Sequence, residues 1–268
     1  MLKKRIIFTL LYCDGFFVQS RNFDIQKVGD LNWLIKKYGI ENISYFIDEL
    51  IIIDISRTTK NKTKFLSILK KISKFFFIPI TAGGGIREFS DASNLLNNGA
   101  DKIILNWPIY NNYKLIEKIS SVYGSQAIVA SMDFKKDFNG KYKIFIENGS
   151  KQFKKDPTQF LKKIINYKFG ELFINSIDKD GTGNGPDLNL LNLIPKKFKK
   201  PIILSGGFGN EIHFELALSN KNVVAIATAN LFNFVGDGFK LAREHLLKKK
   251  FNLVKWDPGT LKKLRQKN

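Results

Sequence analysis

An α/β fold of the (β/α)8 barrel class is predicted by three observations. Eight short apolar runs rich in Ile, Val and Phe alternate with helix-length amphipathic segments along the 268 residues. The runs are almost continuously hydrophobic, as parallel strands covered on their outer face by helices are. Two Gly-rich turns, "GGGI" at 83–86 and "SGGF" at 205–208, follow such runs in the two halves of the chain. A doubly wound open sheet competes with this reading, and the count of eight favours the barrel.

In chain order the strands are expected near 5–11, 50–55, 78–82, 102–106, 126–132, 171–176, 201–205 and 223–228. Helices are expected near 31–39, 62–75, 90–98, 111–121, 157–167, 187–196, 210–219 and 236–249, with Asp30 and Ser90 as N-terminal caps. Two stretches depart from the alternation. Residues 12–30 form a long connection suited to a lid over the barrel mouth. Residues 134–156 read as a β-hairpin turning at Asn139-Gly140. No Pro/Gly/Ser-rich linker divides the chain, so residues 1–250 are expected to form one barrel and 251–268 a basic tail.

The halves echo each other. "IIIDIS", "IPITAGGGI" and "DKIILNW" are answered by "LFINSIDKDG", "KPIILSGGFG" and "VVAIATAN". Two half-barrels would place two anion-binding turns across one mouth.

The charge balance, 44 Lys+Arg against 24 Asp+Glu for a net +20, attracts anions. Much of it falls in Lys runs on expected helices and their ends, which suits a solvated surface, and no nucleic-acid-binding motif accompanies it; nucleic acid is therefore disfavoured. The chain has one cysteine, Cys13, which excludes an internal disulfide framework and a zinc site of clustered cysteines. No metal-ligand cluster or dinucleotide fingerprint is visible, so no cofactor and no metal is expected. No apolar run approaches a membrane span or signal peptide, and a cytoplasmic protein without membrane contact is expected.

Chemistry is expected at the C-terminal ends of the strands. Asp133 ends a largely apolar run, where a partly desolvated carboxylate suits acid–base work. Asp54, Asp178 and Asp180 are further rim carboxylates. Gly84 and Gly85, Gly181 and Thr182, and Ser205, Gly206 and Gly207 offer backbone and hydroxyl donors to a phosphate. Phe23, Trp107, Phe232 and Phe234 can face ligand or fill core. His213 and His245 fall on expected helices, away from strand ends. At the opposite end of the strands stand Arg5, Glu49, Lys102 and Glu171, two cations and two anions that form either a stabilising layer or a gated passage.

Together, "LKKRII", "DELIIIDI", "GGGI", "GADKIILN", "YGSQAIVASMD", "SIDKDGT", "PIILSGG" and His213-Phe214, in this order, resemble the HisF family, the cyclase subunit of imidazole glycerol phosphate synthase. The resemblance spans residues 1 to about 250. It implies a barrel that receives ammonia from a HisH-like glutaminase bound at its bottom as a heterodimer. It implies phosphate contacts for Gly85 and Asn106 in one half, and for Gly181, Gly207 and the position of Asn230 in the other. The family's salt-bridge gate maps onto Arg5, Glu49, Lys102 and Glu171, and Asp101 falls at the glutaminase interface.

The family's cyclase uses two catalytic aspartates. Asp133 matches one; the other falls on Leu11, which has no ionisable group. Gln19 stands where a basic loop residue is usual, Trp107 where a small residue is usual, and Asn230 at a Ser-like position; "SKQFKKDP" (150–157) lacks the family's Thr-Gly pattern. The "LL" ending of the first strand is similar to HisF-like paralogues of the WbuZ type, associated with surface-polysaccharide loci. These accompany a HisH-like glutaminase and a separate sugar amidotransferase in turning an acetamido sugar into an acetamidino sugar. That resemblance implies a phosphorylated or nucleotide-linked substrate and a barrel that still conducts ammonia. A histidine-pathway cyclase and a non-catalytic scaffold that activates the glutaminase are the alternatives.

Overall fold

A computed structural model describes residues 3–38, 43–56, 61–229 and 238–255, with 257 and 259. Its strands are β1 Arg5–Cys13, β2 Phe16–Arg21, β3 Asp24–Gly29, β4 Glu49–Asp54, β5 Ile80–Gly83, β6 Lys102–Leu105, β7 Ile128–Lys136, β8 Tyr142–Ile146, β9 Lys151–Phe153, β10 Glu171–Ser176, β11 Ile202–Ser205 and β12 Val223–Thr228. Its α-helices are α1 Leu31–Tyr38, α2 Lys62–Ile72, α3 Phe89–Asn97, α4 Trp107–Asn111, α5 Tyr113–Tyr123, α6 Pro157–Ile164, α7 Glu211–Leu218 and α8 Gly238–Lys248.

Eight of the strands pair side by side in the order β1-β4-β5-β6-β7-β10-β11-β12, and β12 returns to β1. All eight pairings are parallel. This is the closed barrel expected from the eight apolar runs. Two antiparallel excursions leave its C-terminal rim: β2 and β3 after β1, and β8 and β9 after β7.

Alternation along each strand sorts side chains into two compartments. Outward residues such as Ile6, Phe8, Ile52, Ile103, Leu172 and Ile226 join the helices in one large core. Inward residues Ile7, Ile51, Ile104, Val129, Phe173 and Ile203 form a second, compact apolar layer inside the barrel. Burying each such side chain stabilises the fold by roughly 1.5–3 kcal/mol.

Several details differ from the sequence-based expectations. The lid region 12–30 is not an irregular loop: β1 continues to Cys13, and β2 pairs with β3 in the register Gln19↔Gln26 and Arg21↔Asp24. The turn at Gly140 exists, with φ +73°, and a third strand, β9, extends the excursion. The helix expected near 111–121 is α5, whose N-terminal cap Asn112 accepts from the Leu115 N–H; the short α4 before it was not expected. Residues Leu188–Leu193 form a 3-10 helix rather than an α-helix. Asp30 caps α1 by accepting from the Trp33 N–H at 2.8 Å. Ser90 does not cap α3; the cap is Glu88, and the Asp91 carboxylate takes the Arg87 and Glu88 N–H groups at 2.8 and 3.1 Å. At the start of the expected tail, Leu253 is buried and bridges to Lys4. Among the described residues no helix is long and apolar enough to cross a membrane.

Candidate active site

The inward face of β1 carries Arg5, Ile7, Thr9 and Leu11 in sequence, and each rung meets a different environment. Arg5, Glu49, Lys102 and Glu171 are the first residues of β1, β4, β6 and β10, so parallel pairing brings all four together at the N-terminal end of the barrel. They form a closed cycle. Arg5 binds Glu49 at 2.7 Å and also Glu171; Lys102 binds Glu49 at 3.1 Å and Glu171 at 2.9 Å. Thr81 donates its hydroxyl to the remaining oxygen of Glu49 at 2.6 Å. Arg5 and Lys102 hold the Glu171 carboxyl below its ordinary range despite the opposing effect of burial. Two positive and two negative charges cancel, which makes burial of the ring tolerable.

Above the ring lies the apolar layer, and above that a cavity of about 700 Å³ opening at the C-terminal rim. Ile104 and Phe173 of the apolar layer also line its lower part. One side is apolar: Leu11, Ile53, Phe23 and Ile25. The other is polar: Asn106, Ser131, Asp133, Asn175 and Ser205. Leu11 and Asp133 stand on β1 and β7, which have three strands between them in either direction around the barrel. They face each other across the mouth.

Asp133 is held by two amides: Asn106 Nδ2 donates to one carboxylate oxygen at 3.0 Å and Asn175 Nδ2 to the other at 3.2 Å. Burial pushes its pKa up to about 7, the neighbouring Asp180 charge adds to the rise, and the two amides oppose it. Such a carboxyl exchanges a proton near neutrality. The Thr9 hydroxyl and the Asn175 carbonyl oxygen are buried and have no hydrogen-bond partner among the described residues, a rare state for buried polar atoms.

The β2–β3 hairpin closes over this cavity. Ser20 Oγ and the Phe23 N–H donate to the Asp180 carboxylate, and the Asn22 N–H donates to the Asp180 carbonyl at 2.9 Å. The turn sets Asn22 and Phe23 at φ +55° and +70°, a costly conformation for Phe. Gly181, at φ +67°, backs onto the Ser20 carbonyl, where a Cβ would collide. Burial raises the Asp180 pKa, while the bonds from Ser20 and Phe23 lower it.

The remaining sequence candidates divide. Asp54, Gly84 and Gly85 line the cavity; Asp54 accepts from both the N–H and hydroxyl of Ser56. Gly181, Thr182, Gly206 and Gly207 are not among its described lining residues. Gly206 packs on the Ser176 carbonyl and Gly207 on that of Gly185. Asp178 accepts from the Lys136 N–H at 2.8 Å. His213 accepts from the Gly209 N–H through Nδ1, and His245 contacts Glu215; neither lines the cavity. Asn230, Phe232 and Phe234 lie outside the described residues. The cavity also gathers residues the sequence reading did not single out, namely Lys62, Arg87, Glu147 and Asn148.

The sequence that builds this barrel is matched by known proteins. The family model described as "Histidine biosynthesis protein" matches residues 6–235. The chain belongs to the HisF family. It is 48% identical over 257 residues to "Putative imidazole glycerol phosphate synthase subunit hisF2" of Parasynechococcus marenigrum, covering 96% of this chain and 95% of that one. It is 35% identical to the HisF subunit of Endomicrobium trichonymphae, covering 93% and 94% of the two chains. It is 37% identical to that of Oceanobacillus iheyensis, covering 87% and 91%.

Proposed function

We propose that this HisF-like chain is the ammonia-receiving subunit of a glutamine amidotransferase pair and serves amidation of a surface-polysaccharide sugar rather than imidazole ring closure. Leu11 opposite Asp133 carries the reading. Ring closure by the family's route uses an acid on each side of the mouth, and an aliphatic side chain transfers no proton. The ring of Arg5, Glu49, Lys102 and Glu171 keeps the charges of the family's gate, so the entrance side is retained where the acceptor side has changed.

On this reading a HisH-like glutaminase binds at the ring end, with exposed Asp101 at its edge, as a heterodimer in the cytoplasm. Ammonia passes the ring and the apolar layer to the cavity. There Asp133 is a single proton donor or acceptor beside an acceptor bearing phosphate or a nucleotide. Replacing an acetamido oxygen by nitrogen breaks a C–O bond and forms a C–N bond, so the oxygen must first be esterified by a nucleoside triphosphate and leave as the phosphate or nucleotidyl anion; we assign that activation to a separate sugar amidotransferase. Asp54, Gly84, Gly85, Asn106, Asp180 and Ser205, which line the cavity, are the proposed substrate contacts.

A second reading, a histidine-pathway cyclase, is supported by the relatives named for imidazole glycerol phosphate synthase and by the near-neutral Asp133. Reconstitution tests the proposed pairing. The chain mixed with a HisH-type glutaminase is expected to form a one-to-one complex with raised glutaminase turnover, and Asp101→Lys is expected to weaken it. Failure to associate would sink the pairing. In the full system with the sugar amidotransferase, Asp133→Asn is expected to lower sugar amidation; unchanged flux would instead support a scaffold.

A further inference from the structure

The "GGGIRE" turn after β5 contains a cation that the glycines had overshadowed. Arg87 lines the cavity beside Gly84 and Gly85. Its guanidinium lies over the indole of Trp107, 4.2 Å from the ring centroid. Trp107 lines the same wall, immediately after Asn106. Stacking fixes the guanidinium plane without using its N–H donors. Among the described residues, that guanidinium makes no hydrogen bond and no ion pair. Burial lowers its pKa, and Glu147 and Asp91, acting only at longer range, offset part of that.

The other donors at this turn are already spent. The Arg87 and Glu88 N–H groups, the natural anion site at the start of α3, are occupied by the Asp91 carboxylate. Lys62, which also lines the cavity, pairs with that same Asp91. An anion entering this end of the cavity therefore finds a planar, oriented and unspent fork of donors in Arg87, next to a glycine turn at φ +108° and +69°.

We propose that Arg87, held by Trp107, is a side-chain clamp for a phosphoryl group at the β5–β6 side of the cavity. Arg87 is the binding residue and Trp107 its positioning residue. Two N–H groups of the guanidinium bond two oxygens of one phosphate, a geometry a lysine ammonium cannot reproduce. A large aromatic following Asn106 is then a means of presenting the arginine. The proposal rests on the cavity being the site of a phosphorylated substrate. It is independent of which reaction follows, because the test below uses inorganic phosphate and no turnover.

The full-length chain is titrated with inorganic phosphate while indole emission is followed, with Trp107→Phe as the background for the other tryptophans. A phosphate-dependent change from Trp107 is expected. Arg87→Ala is expected to weaken it by about tenfold or more, and Arg87→Lys to recover only part of the loss. Calorimetry separates the role of Trp107: Trp107→Phe, which keeps a ring under the guanidinium, is expected to bind within about twofold of the parent, and Trp107→Thr about fivefold more weakly. Unchanged circular dichroism in each variant excludes a folding defect. Phosphate affinity unaltered by Arg87→Ala, or absence of any Trp107 response in the parent, would overturn the clamp. Equal affinity of the Phe and Thr variants would overturn the positioning role.

Discussion

Asn106 donates its side-chain amide to Asp133 at 3.0 Å, across the β6–β7 neighbour pair. The bond favours the charged carboxylate, while burial favours the neutral acid strongly enough to leave the pKa at about 7. Removing the amide by Asn106→Leu is expected to raise that pKa further, as followed by the carboxyl carbon resonance of Asp133 against pH. A lower value in the variant would contradict the assignment of Asn106 as a stabiliser of the charge.

The same shift links to stability. A carboxyl that stays protonated in the folded chain up to about 7, against an ordinary value of 3.8, makes the fold less stable as pH rises between those values. The penalty is complete above the folded pKa. Asp133→Asn is therefore expected to stabilise the chain at about pH 8 by on the order of a few kcal/mol and to have little effect at about pH 4, measured by urea unfolding.

Glu171 behaves in the opposite sense. Its carboxyl is held below the ordinary 4.5 by Arg5 and Lys102, so its contribution is present above that value and is lost as pH falls through the lowered one. The acid limb of a stability profile is expected to flatten in Glu171→Gln. Because that substitution also leaves Arg5 and Lys102 one anion short, the variant is expected to lose about 3–5 kcal/mol at neutral pH.

Ser20 and Asp180 latch the hairpin lid onto the turn after β10. Ser20→Ala removes one donor and leaves a buried carboxylate with fewer partners, which costs about 1–3 kcal/mol of local stability. Trypsin cleavage after Arg21 or Lys27 is expected to accelerate in this variant relative to cleavage elsewhere. No change in relative rate would show that the lid is held by other contacts.

The barrel was legible because its strands are continuous apolar runs, a signal that survives without knowing their partners. The four-residue ring was legible for a related reason: each member is the first residue of a strand, so the reading of strand starts carried their common level. The lid hairpin was not. β3, "DIQKVG", is exposed along most of its length and has no alternation to report it; only its pairing with β2 makes it a strand. Ser90 misled as a cap because Ser is a common one, whereas Asp91 reaches back to two N–H groups from inside the helix. Asp133 and Leu11 stood out as strand ends. Arg87 did not, since a lone arginine before a helix reads as solvated, and only the position of the Trp107 ring shows otherwise.

The measurement that bears most directly on the central claim is a cyclase assay of the purified chain with the phosphoribulosyl intermediate of histidine synthesis and excess ammonium salt, which removes any need for a glutaminase. With Leu11 facing Asp133, the expected result is no ring closure by a folded chain that still binds phosphate. Turnover approaching that of a HisF cyclase carrying both aspartates would contradict the account and identify the chain as a histidine-pathway enzyme that closes the ring with Asp133 alone.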